Sequence, residues 1–314
     1  MSRSFYQLIA AAFAALLALP ALATDYDLYV LAGQSNMDGY GLIKDLEEAD
    51  RGPVAGVHIF HGSPTPDKVP LGAAGLWQPL RPGHGRGFKS NGAANQYSNA
   101  FGPELFFAKT LRQANPNRPI AIVKYSRGGT SIHQAVARHF GCWEPDFTGG
   151  EGKGKGINQY DHFLSTLDAA LAVRDIDGDG EDDHLIPAGI LWMQGESDAH
   201  AKVSADAYQA NLKRLMDLMR AALRCDDLPV VIGRISDSGQ DKKDGKVWDF
   251  GETVRKAQAG FVKEDPSAAL VTETDKYGYS DPYHYDTAGF IDLGKQFALS
   301  MLGLHGAKPG EPSR

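Results

Sequence analysis

Ser35 stands in Gly33-Gln34-Ser35-Asn36-Met37-Asp38-Gly39, directly after the apolar run Tyr26 to Gly33. A serine that leaves a buried strand between glycines can present its hydroxyl with little side-chain bulk around it, which a nucleophile requires. A lone serine in such a place more commonly caps a helix, so the assignment needs partners. A serine nucleophile needs a base within hydrogen-bond reach and a carboxylate that fixes the tautomer of that base. Asp281-Pro282-Tyr283-His284 offers both in one turn, although Asp-x-x-His taken alone is more often a surface turn. The G-x-S-x-G elbow of α/β-hydrolases occurs nowhere in the chain, so a nucleophilic Ser35 implies a different fold.

Two further segments carry chemistry. Ser126-Arg127-Gly128-Gly129-Thr130-Ser131 follows one apolar run and Gln194-Gly195-Glu196-Ser197-Asp198 follows another. Glycines at a strand end can aim backbone N–H groups into a cleft, as an oxyanion hole requires. The Gln194 carboxamide could add a donor. Read singly, each segment is a tight strand-to-helix turn.

Taken together and in this order, GQSNMDG, GGTSI, QGESD and DPYH resemble the blocks of SGNH hydrolases. More narrowly they resemble the sialate O-acetylesterase and acetylxylan-esterase-like carbohydrate esterases. Phe101 to Leu105 (FGPEL) and Trp77 to Leu80 (WQPL) match the same branch, and the resemblance spans residues 26 to 300. It implies that Ser35 is the nucleophile, His284 the general base and then acid, and Asp281 the residue that orients His284. It also implies an oxyanion hole built from the Ser35 and Gly129 amides and a side-chain donor. Here the chain departs from the family pattern, since Ser197 stands where SGNH enzymes carry asparagine. Gln194, the nearest carboxamide, is therefore expected to be the third donor, with Glu196 pairing with Arg127 to hold two loops together. The implied activity is removal of acetyl groups from a carbohydrate such as sialic acid or xylan, with no metal or cofactor required for catalysis. The rival readings are an SGNH esterase of lipid or other non-sugar esters, and a carbohydrate-binding protein that has lost activity.

The elements that must position these residues are legible as alternating patterns. Strands are expected over 26–33, 119–125, 186–193 and 229–235, with a fifth at 269–272. Helices are expected over 103–111 and 160–173. Tyr208, Leu212, Leu215, Met219 and Leu223 recur at one-face helical spacing. Thr287 is expected to cap a last helix that turns Phe290, Leu293, Phe297 and Met301 inward. Alternating strands and helices imply a mainly parallel sheet covered on both faces, with its site at the carboxyl ends of the strands. With the resemblance, this predicts a three-layer α/β/α sandwich around a five-stranded sheet of SGNH or flavodoxin-like type. The glycine-rich stretches 83–92 and 149–156 read as long surface loops. Trp77, Phe88, Tyr97, Trp143 and Tyr160 lie in or beside polar insertions, where rings suit stacking on a sugar face.

Arg3 followed by an uncharged stretch from Leu8 to Ala23, closing on Ala21-Leu22-Ala23, reads as a signal peptide over residues 1–23. It is shorter than the about 20 residues that a membrane anchor needs. The expectation is therefore an exported, periplasmic or extracellular protein of one domain, residues 24–314, with no membrane span after cleavage. Its formal charge of −7 argues against nucleic acid or anionic lipid as a partner. Cys142 and Cys225 could form a bridge after export or remain two thiols. Gly154-Lys155 is followed by Gly156, not by Ser or Thr, so no phosphate loop is read there. Asp175, Asp177 and Asp179 space their acids like the start of a calcium loop, but Ile186 stands where the twelfth-position glutamate belongs. The choice there is between a structural calcium site and a solvated acidic loop.

Overall fold

The computed structural model describes residues 23–65, 73–149 and 156–306. The expected leader at 1–23 lies outside them save for Ala23, and no helix among them is long and apolar enough to cross a membrane. Seven strands form one sheet: β1 (Asp25–Gly33), β2 (Val57–His61), β3 (Trp77–Pro79), β4 (Ile120–Ser126), β5 (His184–Met193), β6 (Val230–Gly233) and β7 (Ala268–Val271). Their order is β7-β6-β5-β1-β4-β2-β3, and every pairing is parallel except the antiparallel edge pair β2–β3. The expected five strands are all present, each with its ends within two residues of the expected ones. The count of five is corrected by β2 and β3. VHIFH carries histidine at two of five positions, and WQP is a three-residue edge strand ending in proline, so neither makes a continuous apolar run.

Six helices accompany the sheet: α1 (Ser35–Asp38), α2 (Glu104–Ala114), α3 (Gln159–Leu171), α4 (Lys202–Ala222), α5 (Gly251–Glu264) and α6 (Thr287–Leu304). Side-chain parity on β1 and β5 shows how they divide. Tyr29 packs edge-on to Phe107 of α2, and its register partner Gly189 leaves room for the Met301 side chain of α6. Trp192, of opposite parity, donates from Nε1 to the Tyr208 hydroxyl of α4 at 3.4 Å. Helices therefore cover both faces, and the central strands are buried on both sides. Thr287 begins α6 but does not cap it, because Asp286 Oδ1 accepts from the Gly289 amide at 2.8 Å.

One charge pair lies inside this core. Lys124 on β4 and Glu104 on α2 are fully buried and meet at 2.8 Å. Lys124 Nζ also donates to the carbonyls of Asp38 and His84 at 2.9 Å each. Three acceptors satisfy its three N–H groups, the condition under which a buried ammonium is tolerated. The two cysteines are separate thiols: Cys142 is buried with its Sγ–H directed at the Ile132 carbonyl, and Cys225 is partly exposed.

Candidate active site

The strand-end segments converge at the carboxyl edge of the sheet. At the end of β1 the backbone passes so close to β5 that a Cβ on Gly33 would lie 2.1 Å from the Met193 carbonyl oxygen. With φ at +147°, the position suits glycine alone. Gln34 is extended, and Ser35 opens the single turn of α1 with 6% exposure.

His284 is oriented from one side and packed from another. Its Nδ1–H donates to the Asp281 carboxylate at 2.8–2.9 Å, while Asp281 Oδ1 also accepts from the amides of Tyr283 and His284. Nδ1 being committed, Nε2 is left as the basic nitrogen. Tyr40 stacks flat on the imidazole, with centroids 3.6 Å apart, and the Arg86 guanidinium lies 5.0 Å over the Tyr40 ring. Burial lowers the His284 pKa; Asp281 opposes that shift and Arg86 adds to it. For Asp281, burial acts upward but is outweighed by the bonds from His284 and the two amides, so its carboxyl stays below its ordinary value. A neutral imidazole beside an ionised carboxylate is the state that a general base requires. Ser35 and His284 line one open cavity of about 770 Å³ without hydrogen-bonding each other.

Asn36, to which the sequence reading gave no role, ties the site together. Its Nδ2 donates to Glu196 Oε1 at 2.8 Å and to the Tyr283 carbonyl at 3.1 Å, and its Oδ1 accepts from the Tyr285 amide at 3.4 Å. The nucleophile turn, the loop after β5 and the histidine loop thus share one carboxamide. Burial pushes the Glu196 carboxyl up to about 7, and the Asn36 bond pulls it down. Glu196 forms no ion pair with Arg127, a correction to the expected pairing: the amide of Asn36 takes that place.

Gly129 lines the cavity at φ +75°, and a Cβ on Gly128 would lie 3.4 Å from that of Ser35. Neither the Ser35 nor the Gly129 N–H donates to another group among the described residues. Gln194 is different. It is fully buried, off the cavity, with Nε2 donating to Asp198 Oδ2 at 2.7 Å and to the Thr130 carbonyl at 3.2 Å. Both of its donors are committed, which corrects its placement in the oxyanion hole. Asp198, from the same pentapeptide, also accepts the amides of Ile132 and His133, so the pair braces the loop that carries Gly129. Burial nonetheless pushes the Asp198 carboxyl up to about 6. Two other groups do line the cavity: Ser197, at the family's asparagine position, and Gln34, whose Oε1 accepts the Gly195 and Ser197 amides and leaves Nε2 uncommitted.

The expected sugar-stacking rings are mostly elsewhere. Phe88 lines the cavity, but Trp143 is wholly buried against Trp192, Trp77 donates into the core, and Tyr97 and Tyr160 lie off the lining. Trp248, Tyr283 and Phe140 line it instead, together with Arg86, Lys89, Arg127 and Arg138. In the acidic loop, Asp175, Asp177 and Asp183 bring carboxylate oxygens within 4.8 Å of one another. Asp179, expected with them, is not among them, and its Oδ1 accepts the Glu181 amide instead.

Residues 25–303 match the family described as carbohydrate esterase, sialic acid-specific acetylesterase. No curated protein matches the chain. Among solved structures, the chain is similar to a protein from Arabidopsis thaliana, with TM-score 0.59 and 20% identity over 90% of this chain and 99% of the other. It is similar to a carbohydrate acetylesterase from Xanthomonas citri, with TM-score 0.54 and 21% identity over 88% and 56% of the two chains. It is also similar to NanS, with TM-score 0.55 and 16% identity over 90% and 98%. At such identities the likeness is one of fold.

Proposed function

Because the chain belongs to the sialic acid-specific acetylesterase family of carbohydrate esterases, and so hydrolyses acetyl esters of carbohydrates, we propose that it does this through a covalent acetyl-enzyme on Ser35. The observation that carries the reading is the Asp281–His284 pair, its Nδ1–H held at 2.8–2.9 Å, facing the same cavity as Ser35. In this mechanism Nε2 of His284 takes the Ser35 proton as Oγ bonds to the acetyl carbon. The Ser35 and Gly129 amides receive the oxyanion. The carbon–oxygen bond to the sugar then breaks, and the sugar oxygen leaves with the proton from Nε2. Water attacks the acetyl group, gives its proton to the same nitrogen, and acetate departs as Ser35 is reprotonated. Arg86, Lys89, Arg127 and Arg138 set against Asp38, the one acidic residue among the described residues that line it, give a basic cavity, which favours an anionic sugar such as a sialoside over neutral xylan. Acetate release from a panel of acetylated sialosides and acetylated xylan tests the substrate class. Release from xylan but from no sialoside would remove the anionic preference.

The third oxyanion donor is Ser197 or Gln34. Replacing the operative one by alanine should lower kcat by about 10²–10³ with a smaller effect on KM. Gln194→Ala should instead lower the melting temperature, because it removes a brace and not a donor. A Gln194→Ala protein of unchanged stability but 10²-fold lower kcat would restore Gln194 to the hole.

For the acidic loop, we propose a calcium ion held by Asp175, Asp177 and Asp183 for stability alone. Calcium added to metal-stripped protein should raise the melting temperature and leave kcat per folded molecule unchanged. No shift at millimolar calcium would leave a solvated loop.

A further inference from the structure

A second polar group lies on the nucleophile's own turn and takes no part in the acyl transfer. Asp38 follows Ser35 by three residues on α1, on the same side of the turn, and both line the cavity. Its Oδ1 accepts from the Ser126 hydroxyl at 3.0 Å, and its own carbonyl is held by Lys124 Nζ, so the carboxylate is fixed in place at the ends of β1 and β4. Among the described residues no hydrogen bond is made to Oδ2, and the side chain is part of the cavity lining.

His61 ends β2, in register with Lys124, and also lines the cavity. Its Nδ1 meets His84 Nδ1 at 3.3 Å, which leaves Nε2 as the nitrogen it can present. The tautomers follow from His84, whose Nε2 is buried without a partner. A buried nitrogen lone pair is tolerated more readily than a buried N–H with no acceptor. His84 therefore carries its proton on Nδ1 and donates it to His61, which keeps its own proton on Nε2. The cavity wall on the β2 side of Ser35 thus offers a fixed carboxylate oxygen and a ring N–H.

We propose that Asp38 and His61 form a hydroxyl-binding subsite that recognises a free sugar hydroxyl vicinal to the acetyl ester and so decides which acetyl group is presented to Ser35. A carboxylate acceptor and an imidazole N–H donor match the two roles of one hydroxyl. Asp38 stands on the nucleophile's own turn, and His61 on the wall of the same cavity is linked to it through Lys124, whose Nζ bonds the carbonyls of Asp38 and of His84, the partner of His61. This inference rests on the proposed reading of the cavity as a carbohydrate acetylesterase site.

The test compares a mono-O-acetylated sialoside with its analogue in which the hydroxyl vicinal to the acetyl group is replaced by hydrogen. The wild type should prefer the hydroxylated compound by tenfold or more in kcat/KM, about the worth of one hydrogen bond to a charged group. Asp38→Asn should reduce that preference to threefold or less. His61→Gln, read in the same way, covers the case in which Asp38→Asn does not fold. Retention of the full preference in folded variants, or equal rates on both compounds in the wild type, would overturn the subsite alone. Hydrolysis of p-nitrophenyl acetate but of neither sialoside by the wild type would overturn the sialoside reading, and the subsite with it.

Discussion

Ser35→Ala should abolish turnover, with a loss on the order of 10⁴–10⁶ in kcat, while the melting curve stays close to that of the wild type. The first half follows from the role of the hydroxyl. In serine-triad enzymes, loss of the nucleophile removes nearly all of the machinery's effect, leaving the residue that comes from oxyanion donors and binding. The second half follows from structure. Ser35 Oγ has no hydrogen-bond partner among the described residues, so its removal orphans no buried group. A fluorophosphonate should label the wild type at Ser35 and leave the variant unmarked. Turnover within tenfold of the wild type in a folded Ser35→Ala protein would reject Ser35 as the nucleophile. His284→Ala should cost about as much as Ser35→Ala, and Asp281→Asn less, since Asp281 orients the base but transfers no proton.

The acyl group should be short. Along p-nitrophenyl esters of rising chain length, kcat/KM should fall steeply from acetyl through butyryl, and by at least about 10³-fold at octanoyl. An acyl tunnel needs contiguous aliphatic walls. Val136 and Pro64 are the only aliphatic side chains among the described residues that line the cavity, and the rest are rings, hydroxyls, glycines, charges and the Gln34 carboxamide. A longer chain would cover charged groups without gaining apolar contact, and discrimination of 10-fold or more per methylene is within the reach of a shaped pocket. An optimum at octanoyl would favour the lipid-esterase reading over the carbohydrate one.

How far the sequence carries this site depends on whether a feature is local. The runs that become β1, β4 and β5 are mostly apolar and wholly buried toward their carboxyl ends, so the positions of Ser35, Gly129 and Glu196 just beyond strand ends could be read directly. The Asp281–His284 geometry is equally local, three residues in one turn. β2 and β3 escaped because a five-residue strand with histidines and a three-residue edge have no periodicity to detect. Gln194 was misplaced for a different reason. Its side chain has the right chemistry, but its donors face Asp198 and Thr130, and no pattern shows which acceptor a buried carboxamide will find. Trp248, Tyr283 and Phe140 come from three distant loops, and only the fold brings them to one cavity. Asn36 stood in plain sight inside the nucleophile motif, yet its function is to join segments remote from it.

That junction bears on when the enzyme can first work. The bond from Asn36 to the Tyr283 carbonyl spans 247 residues of chain. Ser35 leaves the ribosome well before His284, its base. Closure of so large a loop comes late in any ordering of folding events that counts chain entropy. A nascent molecule that still lacks the segment from Asp281 to His284, or one clipped before it, would therefore hold the serine but no base, and would be silent toward esters. Reactivity toward a fluorophosphonate should accordingly appear only once the segment through His284 has docked against Asn36.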